Sequence, residues 1–502
     1  MDGDGGQGIT GTVALGAAAR AFLQGGPKKL LIGGEWVPAL SGETFPAVNP
    51  ATEEIIGYAA AGDKADVDAA VIAARRAFEH PSWSAISPHQ RTSYLLKLAR
   101  LIEEHAEELA QLETLNNGSP LTVTRGQMHG TAQTFEYYAG WATKIFGETN
   151  PSDSAFFSYT LREPLGVCGQ IIPWNGPLSS ASWKLAPALA CGNTCILKPA
   201  EQTPLTAIRL GELILEAGFP PGVVNIVTGF GETAGAAIAA HPDIDKVGFT
   251  GSTAVGKLIL HASTGNLKRV TLELGGKSPN VIFADSNIDQ AIASSVGGFC
   301  ALSGQICVAG SRIFIQERIY DQVVDRLASF TSNFKVGDPF DPQTTMGPLV
   351  SHEQFERVTS YFAVGKADGA RVAVGADKPG GKGYFVNPTL FADVTNGMRI
   401  AQEEVFGPVA AAIPFKDEDD AVFQGNQTIY GLGAAVWTRD VGRAHRVARA
   451  LKAGTVWVNT YLKVDPISGF GGYKQSGMGR ELGPHSIDAY TQTKTVYVDL
   501  AG

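Results

Sequence analysis

The sequence contains no run of about 18 apolar residues, the length a helix needs to cross a bilayer, so no membrane span is expected. It also lacks an excess of basic residues. Forty Lys and Arg against 49 Asp and Glu give a formal net charge of −9, which argues against a nucleic-acid partner. Cysteine is scarce: five in 502 residues, an odd number, do not form a disulfide framework and suit a reducing compartment. None of the nine His has metal-ligand spacing, and Cys191 and Cys195 have no companions that would complete a zinc site, so no metal is expected. No repeat, low-complexity linker or long charge run breaks the chain. The opening "MDGDGGQGITGTVALGAAARAFLQGG" carries Asp2 and Asp4 where a signal or transit peptide would carry Lys or Arg. Residues 1–29 are therefore expected to be a flexible tail leading into a short helix, in a cytoplasmic protein.

What is present is the composition of a folded protein, 44% hydrophobic and 18% charged, long enough for two or three domains. From about residue 165, short apolar runs alternate with helical stretches of 10–15 residues. "LGVCGQIIP", "TCILKP", "VVNIVTG", "KVGFTG" and "RVTLEL" read as strands. "LSSASWKLAPALACG", "TPLTAIRLGELILEAG", "GETAGAAIAAH" and "STAVGKLILHAS" read as the helices between them. This order predicts a parallel sheet covered on both faces, with ligands at the carboxyl ends of its strands. A second alternating series from "NVIFA" to "TVWVN" predicts a second α/β domain. "FFSYTLREP" and "YTQTKTVYVDL" alternate in the strand manner with one polar face, and such exposed edges predict a subunit contact.

Six stretches carry candidate chemistry. "GFGETA" at 229–234 fits a dinucleotide glycine pattern between strand and helix. "GFTGSTAVG" at 248–256 lacks the pattern but places Ser252 as a helix N-cap, so either stretch can receive an anion. The residues alone favour the first. "ILKPAEQTP" puts Lys198 and Glu201 past a strand end, either as a solvated pair or as partners of a ribose. Glu273 lies inside an apolar strand before Gly275 and Gly276. There it is either salt-bridged or a carboxyl group of raised pKa suited to general-base work. Asn175 in "PWNGPL" either forms a turn or donates hydrogen bonds to an oxyanion. Cys307 stands in "SGQICVAGSR", too polar and glycine-rich for ordinary core. Cys168, Cys191, Cys195 and Cys300 look structural.

Together these motifs resemble the NAD(P)-dependent aldehyde dehydrogenase superfamily in its hydrolytic, non-acylating branch. "PWNGPL", "LKPAEQTP", "FTGSTAVG", "LELGGKSPN", "GQICVAGSR", "EEVFGPV" and "GFGGYKQSGMGRELG" occur in the family's order from about residue 30 onward. The resemblance implies an α/β fold with a Rossmann-like cofactor domain (30–147 and 165–276) and an α/β catalytic domain (277–485). A small bridging oligomerisation sheet (148–164 and 486–502) would join subunits into a dimer or tetramer.

The resemblance also assigns roles. It implies Cys307 as nucleophile, Glu273 as the base for water, Asn175 as oxyanion donor and Lys184 as their neighbour. NAD, favoured over NADP, would meet Trp174, Lys198, Glu201, Gly229, Gly251, Ser252, Leu274, Glu404 and Phe406. The pyrophosphate moves to "GFTGSTAVG", and "GFGETA" falls nearer the adenine. The aldehyde tunnel would be lined by Gly130, Gly176, Trp183, Ala301, Ile306, Val308, Val464 and Phe470. Relatives often carry rings where this chain has Gly176, Ala301 and Val464. A bulky or aryl aldehyde is therefore expected, resembling phenylacetaldehyde, with long-chain or terpenoid aldehydes as alternatives. Retained Glu273 argues against an acyl-transferring enzyme. Retained Cys307 and Asn175 argue against an inactive NAD-binding or structural homologue.

Overall fold

The computed structural model describes residues 14–500. Residues 1–13 of the expected tail lie outside the described residues, and from Ala17 to Gln24 the segment is helical, with Ala19 buried. The Gly16 N–H donates to Gln111 Oε1 at 2.6 Å, anchoring that helix to the body of the protein.

Five parallel strands form the heart of the first sheet, in the spatial order Arg269–Glu273, Lys246–Thr250, Val167–Ile171, Thr194–Lys198 and Val224–Ile226. The chain enters in the middle, runs to one edge, then returns to build the other. Such a reversal opens a crevice at the strands' carboxyl ends. The two central strands are buried along their whole length, which is why they read as continuous apolar runs. The helix Pro177–Ala190 follows the first strand with Pro at its start. The helix Leu205–Ala217 stops at Gly218, whose φ of +89° only glycine adopts without strain. The helix Thr253–Ser263 is capped by Ser252, whose hydroxyl accepts from the Val255 N–H at 3.2 Å.

The second sheet has seven strands, running from Arg371–Val374 through Thr389–Ala392, Val409–Phe415, Arg312–Gln316, Pro279–Ile282 and Gly433–Trp437 to Thr455–Val458. All neighbours are parallel except the first pair. A third, small sheet pairs Phe156–Pro164 with Thr491–Asp499 antiparallel along nine residues, so the two alternating segments do meet. Phe156, Phe157, Leu161, Tyr497 and Val498 on it are exposed.

One crossing was not expected from the sequence. Gly477–Met478, within the span assigned to the catalytic domain, pairs antiparallel with Leu272–Glu273 at the edge of the first sheet. A two-residue strand in a glycine-rich loop carries no periodicity to announce it. Its effect is to close a wall over Glu273. Among the described residues no helix is long and apolar enough to cross a membrane.

Candidate active site

The nucleophile candidate is held by a strained turn. The helix Ile288–Cys300 ends, and Leu302 and Ser303 take left-handed φ values of 49° and 57°. Such angles are uncommon outside glycine and persist only when the surroundings enforce them. The surroundings do so here. Ser303 Oγ donates to the Gly347 carbonyl at 2.8 Å, and Gln305 Oε1 accepts from the Val350 N–H at 3.0 Å. Gly304 has φ +70°, and a Cβ there would run into the backbone of Gly407. Past the turn, the Tyr461 hydroxyl donates to the Val308 carbonyl at 2.8 Å. Cys307 is thereby fixed, half-buried, with all five cysteines of the chain free. Burial, with the Glu404 and Glu273 carboxyls adding to it, pushes its thiol up to about 12. The N–H groups of Val308 and Cys307 oppose the rise by hydrogen bonding to the sulfur.

Asn175 follows the strand Val167–Ile171 and reaches the same loop. Its Nδ2 donates to the Gln305 carbonyl at 2.8 Å, two residues before Cys307. Asn117 Nδ2 donates to the Trp174 carbonyl at 2.6 Å and pins this turn. An amide nitrogen carries two N–H donors, so one remains for an oxygen near the thiol.

Glu273 ends its strand buried, and neither carboxyl oxygen has a hydrogen-bond partner among the described residues. Beyond it, Lys184 and Glu481 form an ion pair enclosed in the protein, and Lys184 Nζ also donates to Thr250 Oγ1 at 2.7 Å. Burial raises the Glu273 carboxyl well above the usual range, and the charge of Glu481 raises it further; Lys184 and Arg480 pull it back. Three residues on, a Cβ at Gly276 would strike the Cys307 carbonyl oxygen. The strand end and the Cys307 loop are therefore in backbone contact, which brings Glu273 and Cys307 close enough for the carboxyl to act on the thiol. Glu481 escaped the reading of the sequence, since a charged residue in a glycine-rich loop resembles ordinary surface.

Residues at the carboxyl ends of the strands fit a dinucleotide. Lys198 and Glu201 meet at 2.8 Å at the end of Thr194–Lys198, with the ammonium buried. Glu201 shares its crevice with Phe230 and His352. At the other end, Glu404 Oε1 accepts from the Gly276 N–H at 2.9 Å, and a Cβ at Gly275 would collide with that carboxyl. Burial raises Glu404 to about 7. Trp174 and Phe406 meet edge to face, centroids 5.1 Å apart, and form an aromatic wall beside it. The two glycine stretches separate clearly. "GFGETA" forms a five-residue π turn before a short helix, and Gly229 takes φ +149° because Gly62 lies against it. Gly251 and Ser252 instead open an eleven-residue helix, with Leu274 packed beneath it against Gly256. The longer, capped helix is the better anion receptor. Among the described residues no cluster of His, Cys, Asp and Glu is placed to hold a metal ion.

The other side of Cys307 is apolar. Trp183 and Phe470 meet edge to face at 5.3 Å and pack in one cluster with Ile306, Cys307 and Val308. Gly130 and Gly176 have open space where a Cβ would stand. Gly126 is also without a neighbour at that position, but it is exposed to solvent. Ala301 is half-buried, whereas Val464 is exposed and lies outside the cluster.

The aldehyde dehydrogenase family model matches residues 36–496. An aldehyde dehydrogenase of Emericella nidulans is 51% identical over 475 residues, covering 94% of this chain and 95% of that protein. The human mitochondrial aldehyde dehydrogenase is 51% identical over 473 residues, covering 94% and 92%. An aldehyde dehydrogenase from Bacillus cereus, solved as its NAD+ complex, superposes with a TM-score of 0.96 at 49% identity, covering 97% of this chain and all of that one. With a family match over residues 36–496 and likeness at this level along nearly its whole length, the chain belongs to the aldehyde dehydrogenase family.

Proposed function

We propose that this enzyme oxidises a bulky or aromatic aldehyde to its carboxylic acid through a Cys307 thioester. The observation that carries the reading is the meeting of Cys307, Asn175 and the unpaired Glu273 in one pocket. The Cys307 thiol gives up its proton to solvent and attacks the aldehyde carbon as the thiolate, giving a thiohemiacetal. Its oxyanion is held by the free Asn175 N–H and the Cys307 backbone N–H. NAD, bound along the crevice, supplies the hydride acceptor. Loss of hydride leaves a thioester on Cys307, and Glu273 takes a proton from water as that water attacks the acyl carbon. The buried Lys184–Glu481 pair beside Glu273 lowers or raises its basicity through charge. The exposed aromatic face of the small sheet supports a homo-oligomer, dimer or tetramer, and the cysteine usage supports a cytoplasmic setting.

Glu201 supports a preference for NAD. A carboxylate at the ribose repels the extra phosphate of NADP. Here Lys198 partly neutralises it, so the repulsion is weaker than that of a lone charge. In Glu201→Gln the Lys198 ammonium remains unopposed, and kcat/KM with NADP is expected to rise about tenfold. Equal kcat/KM for the two cofactors in the native enzyme would refute the preference.

The open space at Gly130 and Gly176 supports a large substrate. A buried methylene is worth about 0.8 kcal/mol, less the cost of ordering the ligand. Phenylacetaldehyde is therefore expected to exceed acetaldehyde in kcat/KM by about 10- to 100-fold. Gly176→Phe should remove most of that advantage by filling the tunnel. The test is a substrate series on both proteins, including a long-chain aldehyde. Acetaldehyde as the best native substrate contradicts the reading, and an unchanged ranking in Gly176→Phe removes residue 176 from the tunnel.

A further inference from the structure

The helix Pro177–Ala190 has one face that is not sealed. In the helix and its N-terminal cap, only Gly176, Ser179, Ser180 and Trp183 escape burial. Steps of three, four and seven residues put these four on a single stripe. Both ends of the stripe meet the nucleophile's surroundings. Asn175, beside Gly176, bonds to the Gln305 carbonyl, and Trp183 packs with Cys307 and Phe470. Ser179 and Ser180 lie between these ends and so face the same space. The helix Leu121–Ala139 packs against this one.

Neither serine hydroxyl has a hydrogen-bond partner among the described residues. The contrast with Ser182 is informative, since its Oγ donates to the Ser179 carbonyl at 2.7 Å. Both residues are partly exposed, so solvent can reach and satisfy such hydroxyls when no substrate is bound. An apolar substrate displaces that water and leaves them unsatisfied, which is costly. A substrate that brings its own hydroxyl restores the bonds.

We infer that Ser179 and Ser180 make the tunnel selective for bulky aldehydes bearing a hydroxyl group remote from the carbonyl, with hydroxyaryl aldehydes the class that fits. This rests on the wide-tunnel reading proposed above. The serines are specificity residues and take no part in the chemical step.

The experiment compares 4-hydroxyphenylacetaldehyde, its near-isostere 4-methylphenylacetaldehyde and acetaldehyde. Each is assayed with the native enzyme, with Ser179→Ala, with Ser180→Ala and with both together. One hydrogen bond gives the hydroxy substrate an advantage in kcat/KM of about 5- to 10-fold over the methyl one in the native enzyme. In the double variant the ratio is expected to fall to about one or below, because the hydroxy substrate loses its partners and the methyl substrate loses nothing. The ratio is taken on one protein preparation, so partial misfolding cancels. A native ratio of one or less, or a ratio that survives in the double variant, overturns the inference. If both aryl aldehydes still outrun acetaldehyde in that case, the wide tunnel stands. If acetaldehyde outruns both, the wide tunnel fails and this inference fails with it.

Discussion

Replacing Cys307 with alanine is expected to abolish aldehyde oxidation, a loss of at least about 10⁴-fold, while NAD binding and folding persist. The residue is half-buried and small, and the turn that carries it is fixed by Ser303, Gly304, Gln305 and Tyr461, not by the thiol. Removing one sulfur therefore costs little stability. The oxyanion donors remain but have no covalent adduct to stabilise. A second readout tests the environment of the thiol itself. With the Cys307 thiol pushed up to about 12 in the cofactor-free enzyme, only a trace is thiolate near neutrality. Alkylation by iodoacetamide should then climb about tenfold per pH unit from pH 7 to 10, without the plateau that an ordinary thiol shows near pH 8.5. The other four cysteines are buried and should stay unmodified. Native-like turnover in Cys307→Ala contradicts the assignment and turns attention to Cys300. A plateau near pH 8.5 contradicts the raised thiol.

The alternation of strands and helices after residue 165 was legible because both faces of the central sheet are covered. Val167–Ile171 and Thr194–Lys198 are buried throughout, and Gly192 and Gly218 punctuate the helices with left-handed turns. Glu273 stood out as a carboxyl at the end of a strand that enters the apolar interior. What it faces was not legible. Lys184 and Glu481 lie 297 positions apart, and no local pattern records their pairing. The left-handed turn at Leu302 and Ser303 was equally hidden, since neither residue is one that signals a positive φ. Gly477–Met478 gave no sign of joining the first sheet, because two residues cannot show a period. The roles of Glu404 and Phe406 came from family likeness, and the fold supplies a physical basis in the Gly276 hydrogen bond and the Trp174 ring contact. Residues that act through shape were the hardest to find. Gly130 and Gly176 leave open space through the side chain they lack, and such a volume becomes visible only when the surrounding helices are in place.

Glu273→Gln separates the two halves of the reaction. The amide keeps the size of the carboxyl but cannot take a proton from water. Thiohemiacetal formation and hydride loss need Cys307 and Asn175, so the first turnover should survive. Thioester hydrolysis should slow by about 10²–10⁴, the usual worth of a general base. The expected record is a burst of NADH approaching one per active site, followed by a slow steady state, with acyl-enzyme trapped on Cys307 by acid quench. The pH dependence sharpens the test. Burial and Glu481 hold the Glu273 carboxyl well above its ordinary range, so it stays protonated and inactive as a base at lower pH. Native deacylation should therefore rise with pH as the carboxyl ionises, and Glu273→Gln should lose that rise. Hydroxylamine attacks a thioester without help from a base, so its addition should restore turnover in the variant. It should act far less on the native enzyme. No burst, with steady-state turnover like that of the native enzyme, would remove Glu273 from the hydrolytic step. A burst that hydroxylamine fails to relieve would place the block after the release of the acyl group.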